Sequence, residues 1–291
     1  MHKSGFVNII GNPNVGKSTL MNELVGERIS IITSKSQTTR HRIFGIVSGE
    51  NFQIIYSDTP GIIKPKYKLQ ERMMNYVSES FQDADVFLYM TDVVESPDKN
   101  PEYIEKLNRV DVPVICLINK IDLAEPAKVK ELESYWREKL PKADIYAISA
   151  LLKYNISHLF DRIIELLPEG PAWFPKDQLT DKTERFIVSE IVREKILQNY
   201  HKEIPYSSEV YVEEFKEDEN IIRIRVVIVV ERQTQKGIII GNKGTALKKT
   251  ATESRIDIEK FFGKKVFMEF FVKVRKDWRN SDTALNNFGY Y

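Results

Sequence analysis

The chain has one cysteine, Cys116, and no long uncharged apolar run, and each scarcity excludes a class of protein. A single cysteine cannot form an intrachain disulfide, so a disulfide-stabilised secreted scaffold is excluded. The apolar surroundings of Cys116, in VPVICLIN at 112–119, indicate a small buried hydrophobic residue. No run approaches the roughly 20 apolar residues of a membrane-spanning helix. The first residues, MHKSGFVNIIG, enter a predicted strand without room for a signal peptide, so we expect a cytosolic protein.

The number of histidines and the net charge are also low. The four histidines are scattered without metal-ligand spacing, so no zinc site is predicted. The net charge of +1 conceals an asymmetry, because 232–279 carry 13 basic residues against 5 acidic ones. Such a local excess suggests a polyanion partner, although a charged run is usually a solvated face.

What the sequence does contain begins with an α/β domain. At 291 residues, two domains are expected. Apolar runs typical of strands covered on both faces lie at 6–10, 52–59, 86–92, 112–119 and 144–149, with predicted helices at 69–83, 101–109, 128–139 and 156–167. This alternation predicts a mostly parallel sheet covered by helices. Residues 42–59 are predicted as a hairpin that adds one antiparallel strand.

A second domain follows a proline-rich segment. PEGPAWFP at 168–175 has three prolines and a glycine, which forbid a continuous helix. We therefore predict a first domain at 1–170, a linker at 171–182 and a second domain at 183–291. In the second domain we predict helices at 183–199 and 245–261 and strands at 208–215, 221–231 and 266–275, with residues 276–291 left unassigned. This order predicts an α+β module.

The first chemical motif is GNPNVGKS at 11–18, directly after the first predicted strand. It fits the pattern G-x-x-x-x-G-K-[ST], in which glycines let successive N–H groups point at a phosphate chain where a helix begins. Lys17 is expected to neutralise the β- and γ-phosphates, and Ser18 to ligate Mg²⁺. A glycine-rich turn without a ligand is the bland alternative.

Two further motifs follow later strands. DTPG at 58–61 places a carboxylate about 40 residues after the phosphate loop, where a P-loop NTPase holds its metal, although DTPG alone is a common turn. NKID at 119–122 ends another strand, and the Asp122 carboxylate can accept both donors of guanine. Adenine would leave that carboxylate partly unpaired, so NKID argues against a general ATPase or kinase. Ser149 and Ala150 end the last strand and can offer an N–H to guanine.

Together these motifs make residues 1–167 resemble a translation-factor-related small GTPase. The resemblance implies a switch at SKSQTTRHR, 34–42, in which Thr39, or less favourably Thr38, closes over Mg²⁺ and γ-phosphate. A basic surface loop is the alternative. Ile62 follows DTPG where Ras-like enzymes carry a glutamine, and isoleucine cannot orient water. Relatives with a hydrophobic residue there use the asparagine that matches Asn14 to hold potassium, so potassium stimulation is a hypothesis.

The second domain contains GIIIGNKG at 237–244, interpreted as a strand-like run followed by Gly241, Asn242, Lys243 and Gly244 before a helix. Two glycines with two residues between them let a nucleic-acid backbone approach closely, as in the GXXG loop of a KH domain. Ile239 and Ile240 are candidates for the apolar floor under the bases, with core packing expected for at least one. A glycine turn in a structural module is the alternative.

A small GTPase followed by a type II KH domain resembles the Era family, within the TrmE-Era-EngA-like GTPases. This resemblance implies GTP hydrolysis with Mg²⁺, binding of single-stranded RNA near the 3′ end of small-subunit ribosomal RNA, 30S subunit assembly, loose inner-membrane association and a monomer. A constitutive RNA-binding protein with a merely structural nucleotide is the alternative.

The candidate residues group by role. The catalytic candidates are Lys17, Thr39 and Gly61, and the metal candidates are Ser18, Thr39 and Asp58. The nucleotide-binding candidates are Gly11, Asn12, Pro13, Asn14, Val15, Gly16, Lys17, Ser18, Thr19, Asp58, Thr59, Pro60, Gly61, Ile62, Asn119, Lys120, Ile121, Asp122, Ser149 and Ala150. The RNA-binding candidates are Lys236, Gly237, Ile239, Ile240, Gly241, Asn242, Lys243 and Gly244.

Overall fold

Contacts within the chain divide the computed structural model, which describes residues 1–97 and 99–291, into two units. Unit 1 comprises Met1–Pro65 and Met73–Asp181, and unit 2 comprises Lys66–Arg72 and Lys182–Tyr291. Residues 171–181, predicted as most of a linker, therefore pack with unit 1. Within the described residues, none of the helices combines the length and apolarity that crossing a bilayer requires.

Unit 1 is built on a six-stranded sheet with flanking helices. Its strands are β1 (Lys3–Gly11), β2 (Ile43–Ser48), β3 (Phe52–Asp58), β4 (Val86–Asp92), β5 (Val114–Asn119) and β6 (Asp144–Ala147). Its helices are α1 (Lys17–Val25), α2 (Lys68–Asp83), whose first residues group with unit 2, α3 (Pro101–Arg109), α4 (Pro126–Lys139) and α5 (Ile156–Leu166), with a 3-10 turn at Ile121–Leu123. The predicted order of strands and helices is confirmed.

The sheet runs in the order β2-β3-β1-β4-β5-β6. All neighbours pair in parallel except β2 with β3, which form the predicted antiparallel hairpin. Strand β4 is buried at every position because helices cover both faces of the sheet, which explains its continuous apolar run. On one face, Trp136 of α4 is fully buried and packs edge-on against Tyr89 of β4. This contact packs helix α4 against the middle of a central strand.

Unit 2 is an α+β module. Its helices are α6 (Glu184–Asn199), α7 (Ile204–Ser207), α8 (Gln233–Ile240), α9 (Thr245–Phe262) and α10 (Asp282–Asn287), with 3-10 turns at Asn242–Gly244 and Trp278–Asn280, and its strands are β7 (Glu209–Glu217), β8 (Ile221–Val230) and β9 (Lys265–Val274). The sheet order is β7-β8-β9, with β7 antiparallel and β9 parallel to β8.

Two sequence interpretations change in unit 2. The strand-like run at 237–240 is wrong, because these residues form the second half of helix α8. A short isoleucine run does not separate a strand from a buried helical segment, and Ile239 is buried while Ile238 is half exposed, as on a helix. The unassigned tail is ordered, since Trp278 and Tyr290 are fully buried. The Tyr290 hydroxyl donates a hydrogen bond to Glu209 at 2.8 Å and ties the tail to β7.

Candidate nucleotide site and RNA-binding loop

The phosphate loop connects β1 to α1 through two glycines with positive φ. Gly11 has φ 152° and Gly16 has φ 105°. A Cβ added to Gly16 would lie 2.3 Å from Asn119 Nδ2, so a larger residue would displace the asparagine of the base motif. Asn119 Nδ2 donates to the Val15 carbonyl at 2.8 Å. The phosphate loop and the base motif therefore share one rigid junction.

Lys17 begins α1 and is buried beneath the loop. Its amino group donates to the carbonyls of Gly11 at 3.1 Å and Asn12 at 2.8 Å. Burial lowers the pKa of Lys17 to about 8, and the charges of Asp58 and Glu95 only partly offset that effect. The amino group thus lies where a phosphate chain would offer it better partners than two carbonyls.

Three oxygen-bearing side chains converge beside Lys17. Ser18 Oγ donates to Asp58 Oδ2 at 2.6 Å, and it lies 3.0 Å from Thr39 Oγ1. Thr39 Oγ1 also lies 3.3 Å from Asp58 Oδ2, whereas Thr38 Oγ1 donates to the Lys35 carbonyl instead. Of the two threonines left open by the sequence, this geometry favours Thr39.

This cluster suits a hard cation. Asp58 is fully buried, and burial raises its pKa despite hydrogen bonds from Ser18 and Thr39 and the nearby charge of Lys17. Its Oδ1 makes no hydrogen bond with the described residues, although the Ser30 hydroxyl is near enough to favour the charged form. A Mg²⁺ ion would satisfy this oxygen, and Mg²⁺ uses one or two protein oxygens together with phosphates and water. Across the described residues, no three His, Cys, Asp or Glu side chains group as a metal site.

The DTPG segment packs directly on the phosphate loop. Thr59 Oγ1 donates to the Ile9 carbonyl at 2.8 Å. A Cβ added to Gly61 would lie 2.7 Å from Pro13 Cα and N, so glycine is required by close backbone approach. Ile62 is 4% exposed, and its N–H donates to the Gly11 carbonyl at 3.1 Å. The Ile62 side chain is a core residue, and in this conformation its N–H is not available to a nucleotide.

The base side is assembled from the ends of β5 and β6. Asn119 Oδ1 accepts the Ala150 N–H at 2.9 Å, and Ser149 Oγ donates to Asp122 at 2.6 Å. Lys120 Nζ donates to the Asn14 carbonyl at 2.6 Å. These bonds join NKID, Ser149–Ala150 and the phosphate loop into one framework, as parallel strands ending at one sheet edge permit.

A cavity of about 430 Å³ lies on the phosphate side of this framework. It is lined by Pro13, Asn14, Gly16, Lys17, Ser18, Thr19, Ile31, Ile32, Thr33, Ser34, Gln37, Thr38, Thr39, Gly61 and Lys120. The phosphate loop, the switch stretch and Lys120 thus face one space. Asp122, Ser149 and Ala150 do not line this cavity.

Two acidic residues at the carboxyl end of β4 were missed from the sequence. Asp92 Oδ2 accepts from Lys120 Nζ at 2.6 Å. Glu95 accepts from the Asn12 side chain at 2.6 Å and from Thr91 at 2.8 Å. Both lie at the carboxyl end of a parallel strand next to β1, a position that would have identified them.

In unit 2, the GXXG loop joins α8 to α9. Gly241, Lys243 and Gly244 all have positive φ, at 74°, 49° and 78°. A Cβ on Gly241 would lie 2.6 Å from Ala246 Cβ, whereas one on Gly244 meets no described atom within 4 Å. Lys243 and Asn242 are exposed. The loop therefore offers an open, positively charged backbone surface.

The remaining RNA-binding candidates separate into surface and core. Lys236 and Ile240 are partly exposed and Gly237 is exposed on α8. Ile239 is fully buried, and the Tyr200 hydroxyl donates to its carbonyl at 2.7 Å, so Ile239 is a core residue. Ile238, which is 50% exposed, is the apolar side chain of α8 that faces solvent.

Comparison with known proteins agrees with this geometry. Residues 6–120 match the family described as a 50S ribosome-binding GTPase, and residues 203–279 match the KH domain family. GTPase Era of Syntrophus aciditrophicus (strain SB) is 48% identical over 294 residues, covering 100% of this chain and 96% of its own. GTPase Era of Staphylococcus haemolyticus (strain JCSC1435) is 45% identical, covering 99% and 97%.

Two solved structures superimpose over nearly the whole chain. A crystal structure of Era in complex with MgGDPNP and nucleotides 1506–1542 of 16S ribosomal RNA has a TM-score of 0.95 and 40% identity, covering 100% of this chain and 99% of that one. An Aquifex aeolicus Era variant bound to GDP and AlF4⁻ has a TM-score of 0.94 and 39% identity, covering 99% of each chain.

Proposed function

The chain belongs to the Era family of GTPases, and we propose that it is a GTP-hydrolysing switch that binds small-subunit ribosomal RNA through its KH domain during 30S assembly. One observation carries the proposal. The same chain combines a guanine-type nucleotide site, organised around Lys17, Asp58 and Asn119, with an open GXXG loop at 241–244. A related structure holds MgGDPNP and 16S ribosomal RNA together, so both ligands occur in this fold.

Each part of the nucleotide has a candidate partner. Loop N–H groups and Lys17 would hold the phosphates, and Ser18, Thr39 and Asp58 would surround Mg²⁺, which supplies charge neutralisation when bound. Gly61 would offer its N–H to the γ-phosphate. Since GDP lacks that phosphate, Thr39 and Gly61 are the residues that distinguish GTP from GDP.

The placement of Asp122 supports selectivity for guanine over adenine. Its side chain is exposed at the rim of the site and held by Ser149 at 2.6 Å, so the carboxylate is oriented before any base arrives. A preoriented acceptor pairs with the two donors of guanine and meets an acceptor on adenine. Competition of GTP and ATP for a fluorescent GDP analogue tests this point, and equal competition would contradict it.

Potassium is a further part of the proposal. Asn14 has φ 66°, and its Nδ2 donates to the Ser34 carbonyl at 3.0 Å, which places two oxygen-bearing groups beside the phosphate loop. A monovalent cation there would stabilise developing charge as an arginine finger does. Hydrolysis is expected to be faster in KCl than in NaCl, and equal rates would exclude this element.

The segment before unit 2 supports coupling between nucleotide and RNA. The Ile46 N–H donates to the Leu179 carbonyl at 2.8 Å, Gly45 and Thr180 form an antiparallel bridge, and the Phe44 N–H donates to Asp181 at 2.9 Å. Residues 179–181 thus extend the sheet along β2, the strand that follows the switch stretch. Helix α6, the first helix after this anchored segment, begins at Glu184, so only residues 182 and 183 lie between the segment and that helix. A shift of β2 on γ-phosphate loss would reach α6 with little slack.

Insertions test this path. Four residues, Gly-Gly-Ser-Gly, placed between Asp181 and Lys182 keep 179–181 on β2 but add slack before α6. The same insertion between Lys176 and Asp177 is the matched control, because it lies ahead of the anchored segment. The first insertion is expected to abolish nucleotide-dependent RNA binding while GTP hydrolysis continues, and the control to retain both. The path would be contradicted if both insertions abolished nucleotide-dependent RNA binding, or if neither did.

The function itself is tested by RNA binding. A labelled RNA matching the 3′ end of small-subunit ribosomal RNA is titrated with the protein in GDP and in a non-hydrolysable GTP analogue. Tighter binding with the analogue is expected, and it should be lost in Gly244→Asp, which puts a carboxylate in the open space of the loop. Equal binding in both nucleotides would favour a constitutive RNA-binding protein. Peripheral membrane association and a monomeric state stay predictions, testable by vesicle sedimentation and analytical ultracentrifugation.

A further inference from the structure

Arg42 occupies the last position of the switch stretch and donates hydrogen bonds to three side chains. Its side chain is 10% exposed. Nε donates to Ser57 Oγ at 2.6 Å, the two Nη atoms donate to Asp83 at 2.7 and 2.9 Å, and Nη2 also donates to Asn8 Oδ1 at 3.0 Å. A planar guanidinium is therefore shared by three elements, β3, β1 and the end of α2.

The partners of Arg42 are unusual where they stand. Asn8 is fully buried in the central strand β1, and its amide is satisfied by Arg42, by the Ser80 carbonyl at 2.6 Å and by Asp83 at 2.8 Å. Asp83 is the last residue of α2, where the helix dipole disfavours a carboxylate unless a cation offsets it. This network thus depends on Arg42, because Arg42 is the only cation that pairs with Asp83 among the residues that the structure describes.

The network lies next to the two segments that carry the metal candidates Thr39 and Asp58. Thr39 lies three residues before Arg42, and Asp58 directly follows Ser57. The next residue, Ile43, pairs with Asp58 in the β2–β3 ladder. With Arg42 fastened to Ser57, the chain that carries Thr39 leaves from a fixed point beside Asp58. Movement of the switch stretch is then confined to the residues that precede Arg42.

We propose that Arg42 is a positioning residue that fixes the end of the switch stretch, so that Thr39 returns to Asp58 and Mg²⁺ whenever GTP is bound. The inference rests on the proposed function and assigns its regulation to a residue that does not line the cavity beside the phosphate loop. It also links the switch stretch to the end of α2, the helix that follows DTPG. A bidentate arginine–carboxylate pair fixes both the orientation and the separation of the two side chains. A lysine has a single amino group and cannot fix the orientation.

The test separates positioning from mere stabilisation. Arg42→Gln removes the charge and the fork, Asp83→Asn removes the partner charge with little change of shape, and Arg42→Lys keeps the charge but not the fork. Arg162→Gln is the control for loss of an arginine ion pair away from the site, since Arg162, which is 36% exposed, pairs with Asp144 at 2.9 Å and Glu165 at 2.8 Å. For each, we would measure thermal unfolding, GDP affinity, the Mg²⁺ concentration that half-saturates binding of a GTP analogue, and hydrolysis in a single turnover.

The expected pattern is specific to the GTP state. Arg42→Gln should raise the half-saturating Mg²⁺ concentration and slow hydrolysis by roughly tenfold to a hundredfold, the size of effect that small misplacements produce. GDP affinity should stay within about twofold, because GDP does not need Thr39. Asp83→Asn should change both quantities in the same direction, and Arg42→Lys should recover thermal stability but not the Mg²⁺ dependence.

Other results would overturn the inference. If Arg42→Lys restores the Mg²⁺ dependence together with stability, or if GDP and GTP-analogue affinities fall in parallel, Arg42 is only a structural ion pair. If Arg42→Gln does not fold, Asp83→Asn and Arg42→Lys decide by the same criteria. Absence of GTP-analogue binding or hydrolysis in the unmodified protein would instead contradict the proposed function, so the two failures are distinguishable.

Discussion

Substituting Gly61 by alanine tests how tightly DTPG is built onto the phosphate loop. The added Cβ would lie 2.7 Å from Pro13 Cα and N and 2.8 Å from its Cγ. Carbon atoms in favourable contact are separated by about 3.5 Å, so the two segments must part by roughly 0.8 Å. The phosphate loop is held by Asn119, Lys120 and Glu95, and so we expect the DTPG segment to yield.

The consequence should appear only when a γ-phosphate is present. A displacement of that size removes the Gly61 N–H from hydrogen-bond range, and losing one preorganised donor costs about 10²–10³ in turnover. Single-turnover GTP hydrolysis should therefore slow by about a hundredfold or more, while the affinity for a fluorescent GDP analogue stays within about twofold.

Gly26→Ala is the matched control. Gly26 has φ 81°, and a Cβ there meets no described atom within 4 Å. This substitution should lower the free energy of unfolding by roughly 1–2 kcal/mol through backbone strain alone, with hydrolysis unchanged. An equal loss of GDP affinity and hydrolysis in Gly61→Ala would refute the reasoning, because the phosphate loop itself would then have moved.

Three other perturbations have defined outcomes. The pKa of Lys17 is lowered to about 8 in the unliganded protein, so GDP, which requires the charged amino group, should bind about fourfold more weakly at pH 8.5 than at pH 7, as fluorescence titration can measure. The same shift should make the unliganded protein more stable as pH rises from about 8 toward 10.5, because the unfolded chain then binds more protons than the folded one. Asp122→Asn should weaken GDP by at least about a hundredfold and improve xanthosine diphosphate, whose additional carbonyl can accept from an amide, as competition titration would show. Cys116 is fully buried and burial raises its thiol pKa, so a thiol reagent should react with one equivalent only after unfolding, and rapid reaction of the native protein would contradict that placement.

Much of the fold was predictable because local patterns and tertiary structure agree in unit 1. Strands covered on both faces give continuous apolar runs, and the strand β4 begins and ends where its run VFLYMTD does. The hairpin at 43–58 was marked by a turn at 49–51 between two apolar runs. The prediction for helix α8 was wrong because the four residues GIII show no hydrophobic periodicity. The packing of Ile239 in the core is what places this segment in a helix.

The nucleotide site divides in the same way. Residues of the four motifs could be named because each one is anchored to a strand end, and parallel strands bring their ends together. Asp92 and Glu95 could not be given partners, since their hydrogen bonds to Lys120 and Asn12 span 28 and 83 residues of sequence. In the sequence, Arg42 is one of several basic residues in a polar stretch, and its contacts with Asn8 and Asp83 distinguish it.

Reciprocal binding gives the most direct measurement of the switch. The affinity of a GTP analogue is measured with and without saturating 3′-end ribosomal RNA, and RNA affinity is measured with the analogue and with no nucleotide. Because coupling between two sites is reciprocal, RNA should tighten the analogue by the same factor by which the analogue tightens RNA. We expect the two affinity changes to be equal and well above onefold. An analogue affinity that RNA leaves unchanged would show that the two sites work independently, and it would contradict the switch.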